Sequence, residues 1–319
     1  MTRFCKNFNK HWLFENLKSK DDIMNWQPLK KIPEIKGGDM PGDVCLIKPV
    51  HLDKANCMFP KLWEQLQNTL TENAHGRAVV SICGGSGTGK TECAQLIVYM
   101  LQQLNVRAYA LSGDNYPYRI PKYNDAERLN IFRNEGIREL LALNIYSDQV
   151  CDELKVLQKA DKDSDPAEVE AHPWLARYQQ AGDAGLKSYL GTHREHDFAG
   201  LSAIITQFKA GANSIYLKRM GREETSCWYE CVDFSNTSVL IVEWTHGNSD
   251  NLRGIDIPVL LYSTPEETLA HRKARGRDKG ADSPFTTRVL NIEGEMLRAQ
   301  AHRAKIIVSN KNTLMEALP

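Results

Sequence analysis

The stretch RAVVSICGGSGTGKTECAQLIVYML, residues 77–101, contains the pattern G-x-x-x-x-G-K-[ST] at residues 84–91. The apolar run before the glycines predicts a buried strand, and the helical spacing of apolar residues after them predicts a helix. A strand, a glycine-rich turn and a helix in this order are typical of a loop that binds nucleotide phosphates. The dinucleotide pattern G-x-G-x-x-G does not fit, because Lys90 stands where its third glycine would fall.

Each part of this phosphate loop has a chemical reason. Glycines let backbone N–H groups approach phosphate oxygens without a Cβ in the way, and the following helix directs the positive end of its dipole at the same oxygens. We expect Lys90 to reach the β- and γ-phosphates and the Thr91 hydroxyl to ligate Mg²⁺. The predicted nucleotide-binding residues of the loop are Gly85, Ser86, Gly87, Thr88, Gly89, Lys90 and Thr91.

Strand and helix patterns alternate along much of the chain. Buried strands are predicted at 106–112, 238–243, 257–263 and 305–310, a hairpin at 214–234, and helices at 59–74, 90–104, 125–144 and 264–278. Alternation of this kind predicts an α/β fold with a mainly parallel sheet and helices on both faces. Together with the phosphate loop, the pattern predicts a P-loop NTPase fold with an N-terminal extension and a helical insertion.

Composition and charge limit the classes of protein to which the chain can belong. The 319 residues, 42% hydrophobic and 25% charged, are typical of a globular protein. Forty basic and forty acidic side chains balance, so charge gives no reason to expect binding to nucleic acid or to a membrane. No run reaches the roughly 18 apolar residues of a membrane helix. The polar first residues do not resemble a signal peptide, and the eight cysteines form no Cys-x-x-Cys pair, so we expect a cytoplasmic protein.

Two carboxylates follow predicted strands. Asp114 is the second residue after the strand at 106–112, in SGDNY, and Glu243 ends the strand SVLIVE. The carboxyl ends of parallel strands meet at the edge of the sheet where ligands bind. There Asp114 could accept a hydroxyl proton or hold Mg²⁺, and Glu243 has the position of a Walker-B acid. The Asn-Lys-x-Asp motif for guanine is absent from the sequence, which argues against a GTPase.

The motifs GGSGTGKT, SGDNY, VLIVEWTHG and RKARGRD together resemble the uridine kinase/phosphoribulokinase family of P-loop kinases. The resemblance implies that Lys90 contacts the phosphates of ATP and that Thr91, Asp114 and Glu243 hold Mg²⁺. It also implies that Asp114 is the base or orienting group for the acceptor hydroxyl. Three arginines of the predicted helix at 264–278 would close over the transferring phosphoryl group, with Arg272 and Arg275 catalytic and Arg277 at the nucleotide. The resemblance covers roughly residues 78–144 and 190–310. The composition of the other segments predicts a partly helical N-terminal extension at 1–75, before a kinase domain at 76–319 with a helical insertion at about 145–190.

The acceptor is the least defined part of the site. The stretch at 193–198 resembles a family motif that places an acidic residue near the substrate, which would be Asp197 here. The predicted acceptor residues are Tyr116, Arg119, His193, Asp197, Lys218 and Arg219. The cations among them favour an acceptor with a carboxylate or phosphate, such as a sugar phosphate or glycerate.

Three functions remain open at this stage. The favoured one is a kinase that transfers the γ-phosphoryl group of ATP to a hydroxyl of a small anionic molecule. The alternatives are a nucleoside kinase of the uridine type and a nucleotide-dependent regulatory ATPase with no small-molecule acceptor. The insertion is expected to serve as a lid or as a contact in a homo-oligomer.

Overall fold

The structure is a computed structural model, and it describes residues 26–35, 37–221, 227–275 and 283–318. Its helices are α1 (Pro49–Glu72), α2 (Lys90–Gln103), α3 (Pro121–Ala142), α4 (Asp148–Lys159), α5 (Leu175–Tyr189), α6 (Phe198–Lys209), α7 (Pro265–Arg275) and α8 (Pro284–Ala299). Its strands are β1 (Ala78–Gly84), β2 (Ala108–Ser112), β3 (Ser214–Met220), β4 (Cys227–Asp233), β5 (Val239–Glu243), β6 (Ile257–Leu261), β7 (Ile306–Val308) and β8 (Leu314–Met315). Short 3₁₀ turns lie at Gly113–Asn115, Pro166–Val169 and Ala301–Arg303.

The central sheet has the strand order β2-β5-β1-β6-β7-β8. All neighbours pair in parallel except β7 and β8, and β3 pairs with β4 in a separate antiparallel hairpin. Every predicted strand is present, and the P-loop fold class is confirmed. In this register Ser112 lies beside Glu243, which brings the carboxyl ends of β2 and β5 together next to the loop that follows β1.

Contacts divide the chain into two compact units. The first comprises the described parts of Met1–Tyr116, Asp197–Ser263 and Leu297–Pro319, and it contains the whole central sheet and the hairpin. The second comprises the described parts of Pro117–His196 and Thr264–Met296. These limits do not coincide with the boundary predicted at residue 75, which stays a prediction, and residues 1–25 of the predicted extension lie outside the described residues.

Helix α1 belongs to the core of the first unit. It begins ten residues before the predicted helix at 59–74 and continues through Pro60. Its buried stripe runs from Leu52 to Leu70 at helical spacing and packs with α2 and the sheet. The burial of this stripe offsets the free-energy cost of the backbone hydrogen bond that Pro60 cannot donate.

The second unit is a helical body with its own apolar core. Phe132 of α3 and Tyr178 of α5 meet edge to face, with ring centroids 5.6 Å apart. A Cβ on Gly136 would lie 2.5 Å from Tyr178 Cδ2, and one on Gly182 would lie 2.4 Å from Phe132 Cδ2, so glycine permits this close approach. Helices α4 and α5 fall within the predicted helical insertion, whereas α8 was not predicted.

Arg77 is buried where β1 begins and was not singled out by the sequence. Its guanidinium donates to the carbonyls of Phe208 and Ala212 at 2.8 Å each, and to that of Phe234 at 2.9 Å. It also lies 4.8 Å from the centroid of the Phe208 ring. One side chain therefore bonds to chain segments that are distant in sequence.

The substitution Arg77→Met should destabilise the protein by about 3 kcal/mol, because it keeps the apolar stem but leaves three carbonyls, two of them buried, without a charged donor. Urea denaturation measures this difference. The exposed Arg107→Met is the matched control and should change stability by less than about 0.5 kcal/mol. Equal stability of the two variants would contradict the structural role of Arg77.

Candidate active site

The phosphate loop connects β1 to α2, and two of its glycines have left-handed backbone angles. Gly87 has φ 80° and Gly89 has φ 86°, a region that side chains rarely adopt. Lys90 Nζ and Thr88 Oγ1 each donate to the carbonyl of Gly85 at 3.0 Å. The chain therefore curls around the position that phosphate oxygens take in such loops, with a cation at its rim.

Helix α1 packs against the phosphate loop and holds it in place. The buried Lys54 donates from Nζ to the carbonyl of Thr88 at 3.0 Å. A Cβ on Gly89 would lie 2.9 Å from His51 Cδ2, so the helix packs directly on the turn. Sequence reasoning missed both residues, because a lysine and a histidine on an amphipathic helix give no local signal of such contacts.

Two predicted metal ligands meet beside the loop. Thr91 Oγ1 donates to Glu243 Oε2 at 3.1 Å. Glu243 is 5% exposed and also bonds to the Ser112 side chain, which in turn accepts from the Asp114 backbone N–H at 3.1 Å. Burial, together with the negative charge of Asp114, raises the pKa of Glu243 to about 8, although Lys90 and the hydroxyls of Ser112 and Thr91 oppose the shift.

The oxygen atoms of Thr91 and Glu243 fit the ligation of a divalent cation. Hydroxyl and carboxylate oxygens are the ligands that Mg²⁺ prefers, and here they lie beside a loop built for phosphate. A buried carboxyl with a raised pKa is also a group whose charged form an added cation would stabilise. Thr91 and Glu243 would hold the metal ion, with the exposed Asp114 carboxylate at the open side.

The substitution Glu243→Gln should stabilise the protein in the absence of nucleotide and metal ions, and more so at higher pH. The folded state holds a proton on Glu243 up to about pH 8, whereas the unfolded state loses it near 4.5, so wild-type stability falls as pH rises through this window. We expect almost no difference at pH 4.5 and a gain on the order of 4 kcal/mol at pH 8.

Thermal and urea unfolding between pH 4.5 and 8.5 measure this gain. The exposed Glu64→Gln on α1 is the control and should follow the wild-type curve. Curves of wild type and Glu243→Gln that run parallel across the whole range would contradict the raised pKa.

Trp244 directly follows Glu243 at the carboxyl end of β5. Its indole packs on the 3₁₀ turn that carries Asp114, because a Cβ on Gly113 would lie 2.1 Å from Trp244 Cγ. It also packs against Phe198, with ring centroids 5.0 Å apart. The large side chain thus requires glycine at 113 and fixes the turn that presents Asp114.

The predicted acceptor residues of the first unit are mostly engaged within the protein. Asp197 caps α6 by accepting from the Gly200 N–H at 2.8 Å, and Tyr116 is buried in the apolar cluster beneath the turn. Lys218 is buried, which lowers its pKa. Arg219 bonds to two carboxylates, those of Asp39 and Glu230. Their roles toward an acceptor stay predictions.

Of the remaining predicted residues, those that the structure describes belong to the second unit. Arg119 donates to Tyr189 Oη at 3.0 Å, and His193 is exposed. Arg272 is buried and donates to the Pro265 carbonyl at 2.8 Å and to Thr268 Oγ1 at 2.7 Å. Arg275 is the last residue of α7, and Arg277 lies outside the described residues.

Asp39 is a site residue that sequence reasoning missed. Its side chain is only 3% exposed, accepts from the Ser112 N–H at 3.0 Å and from Asn115 Nδ2 at 3.3 Å, and pairs with Arg219 at 3.1 Å. It therefore bonds to residues on both sides of Asp114. The sequence predicted only a partly helical extension for the segment that contains Asp39, with no role in the site.

The parallel sheet, the loop and the two carboxylates define a P-loop nucleotide-binding protein. Over 256 residues the chain is 37% identical to a protein named bifunctional alpha-galactosidase/sucrose kinase AgaSK, from Mediterraneibacter gnavus. The match covers 80% of this chain, which spans about a fifth (22%) of the length of that relative. The predicted similarity to a kinase is confirmed by this relative. No protein-family model matches the chain.

Solved structures of kinases are also among the matches. One, described as a possible uridine kinase from Bacillus stearothermophilus, is 15% identical, with 77% of this chain and 98% of that chain covered and a TM-score of 0.37. Phosphoribulokinase from Rhodobacter spheroides is 12% identical, with 73% of this chain and 70% of that chain covered and a TM-score of 0.42.

Among the described residues, no helix has both the length and the apolar composition that a membrane span requires.

Proposed function

We propose that the chain is an ATP-dependent kinase that phosphorylates a hydroxyl of a small molecule. The observation that supports this most is the contact between Thr91 of the phosphate loop and the buried Glu243 at the carboxyl end of β5. This pair provides oxygen ligands for Mg²⁺ beside a loop shaped for phosphates. Bound Mg²⁺ would neutralise negative charge on the phosphates during transfer.

The residues of the loop and of the strand ends have separate roles in this proposal. Lys90 binds the phosphates of ATP, and the loop amides orient them. Asp114, exposed at the end of β2, accepts the proton of the acceptor hydroxyl. The hydroxyl oxygen bonds to the γ-phosphorus, and the bond from that phosphorus to the β–γ bridging oxygen breaks, which releases ADP. The roles of Arg272, Arg275 and Arg277 rest on the family resemblance.

We propose a sugar as the acceptor. The relative with 37% identity carries the words sucrose kinase in its name, and the phosphate loop of this chain is a feature that binds the triphosphate that a kinase uses. The expectation of an anionic acceptor rested on cations, of which Arg219 is already paired with two carboxylates. A nucleoside kinase and a regulatory ATPase are the alternatives that an assay must separate from a sugar kinase.

The test is ADP release with Mg·ATP in the presence of sucrose, glucose, fructose, uridine, glucose 6-phosphate or glycerate. We expect a sugar to stimulate release strongly.

Asp114→Asn should lose about a hundredfold or more in kcat while still binding ATP, because only the proton acceptor is removed. We expect nucleotide to stabilise wild type in thermal unfolding and Lys90→Ala to lose this stabilisation.

The exposed Asp152→Asn on α4 is the control and should keep wild-type rates. Stimulation by uridine alone would favour the nucleoside kinase. Tight ATP binding with slow hydrolysis that no acceptor stimulates would overturn the kinase proposal in favour of the regulatory ATPase.

A further inference from the structure

A cavity of about 480 Å³ lies at the outer edge of β2 within the first unit. Its walls are the segment 37–43, one side of α2, the first three residues of β2 and one face of the β3–β4 hairpin. Such a volume suits a ligand of the size of a mono- or disaccharide. The motifs that the sequence analysis singled out do not account for this cavity.

The hairpin contributes an aromatic ring and a chain of polar groups to the cavity. Trp228 and Arg219 are paired across the hairpin and therefore share a face, and the indole is 38% exposed. Trp228 Nε1 donates to Glu230 Oε1 at 2.9 Å, and Glu230 Oε2 accepts from Arg219 Nε at 2.9 Å. An exposed indole next to a fixed carboxylate and guanidinium can pack against the apolar C–H face of a sugar ring and bind its hydroxyls.

The polar chain continues from the cavity to the reacting groups. Arg219 pairs with Asp39 at 3.1 Å and donates to Tyr109 Oη at 2.9 Å. Asp39 accepts from the Ser112 N–H, and the Ser112 side chain bonds to both the Asp114 amide and the Glu243 carboxyl. Through Asp39 and Ser112 the cavity is therefore connected by hydrogen bonds to the turn that carries Asp114, the proposed proton acceptor.

The charge of the lining indicates the class of ligand. Among the described residues that line the cavity, three carry carboxylates (Asp39, Asp43 and Glu230) and one carries a cation, Arg219. Even with a proton on Asp39, the lining keeps an excess of negative charge. Such a lining repels phosphate and carboxylate groups but accepts hydrogen bonds from neutral hydroxyls.

From these observations we infer that the cavity holds the part of a neutral sugar acceptor that is not phosphorylated, with Trp228 stacked on the sugar ring. This inference rests on the proposed kinase function and specifies its acceptor. The hydrogen-bonded side chains of Trp228, Glu230, Arg219 and Asp39 then orient a sugar bound in the cavity toward Asp114. The cavity therefore determines which sugar is phosphorylated.

The experiment compares wild type, Trp228→Ala and Trp228→Phe in sucrose-dependent ADP release at saturating Mg·ATP. Loss of the indole should raise the KM for sucrose about tenfold or more, whereas the phenylalanine variant, which keeps a ring, should recover much of the loss. The KM for ATP should not change in either variant. Tyr216→Ala is the matched control, because this exposed ring lies on the opposite face of the same hairpin and should leave the KM for sucrose unchanged.

Calorimetric titration of each variant with sucrose and with glucose 6-phosphate separates this inference from the proposed function. If wild type phosphorylates sucrose and Trp228→Ala has the same KM, the cavity assignment is wrong and the kinase proposal stands. If wild type shows no sugar kinase activity but binds sucrose through Trp228, the cavity is a sugar site and the proposed function is wrong. Absence of sucrose binding by wild type, or tighter binding of glucose 6-phosphate than of sucrose, overturns the inference.

Discussion

The parallel pairing of β5 with both β1 and β2 is the constraint on which the site depends. In this register the carboxyl end of β5 lies between the phosphate loop and the turn that carries Asp114. Parallel strands that are buried on both faces need apolar side chains along their whole length, and β1 and β5 are buried throughout. The apolar strands therefore hold a carboxylate, a hydroxyl and a phosphate-binding turn at one edge.

The site has an energetic cost that the rest of the first unit offsets. Glu243 is buried next to another carboxylate, which disfavours its charged form in the absence of a cation. The loop contains backbone angles that only glycine adopts easily. Helix α1, with Lys54 bonded to the loop, and Arg77, bonded to three carbonyls, supply contacts that hold this arrangement in place.

The segment 37–43 links the sheet edge to the hairpin through Asp39. The Asp39 carboxylate bonds to Ser112 of β2, to Asn115 in the turn after it and to Arg219 of β3. Residues far apart in the chain therefore form one hydrogen-bonded polar cluster. Arg219 was predicted from its charge to bind an anionic acceptor, but in the structure that charge is paired. The excess of carboxylates in the lining of the neighbouring cavity agrees with a neutral ligand there.

The phosphate loop, the fold class and the two strand-end carboxylates could be predicted from the sequence, because each depends on residues that are close together in the chain. A strand pattern, a glycine-rich turn and a helix pattern are local signals, and Thr91 and Lys90 take their positions from them. The contacts of Lys54 with the loop and of Arg219 with Asp39 could not be predicted, because they join residues 34 and 180 positions apart. Polar side chains of this kind have no periodicity, and their partners are chosen only when the helices and strands pack against one another.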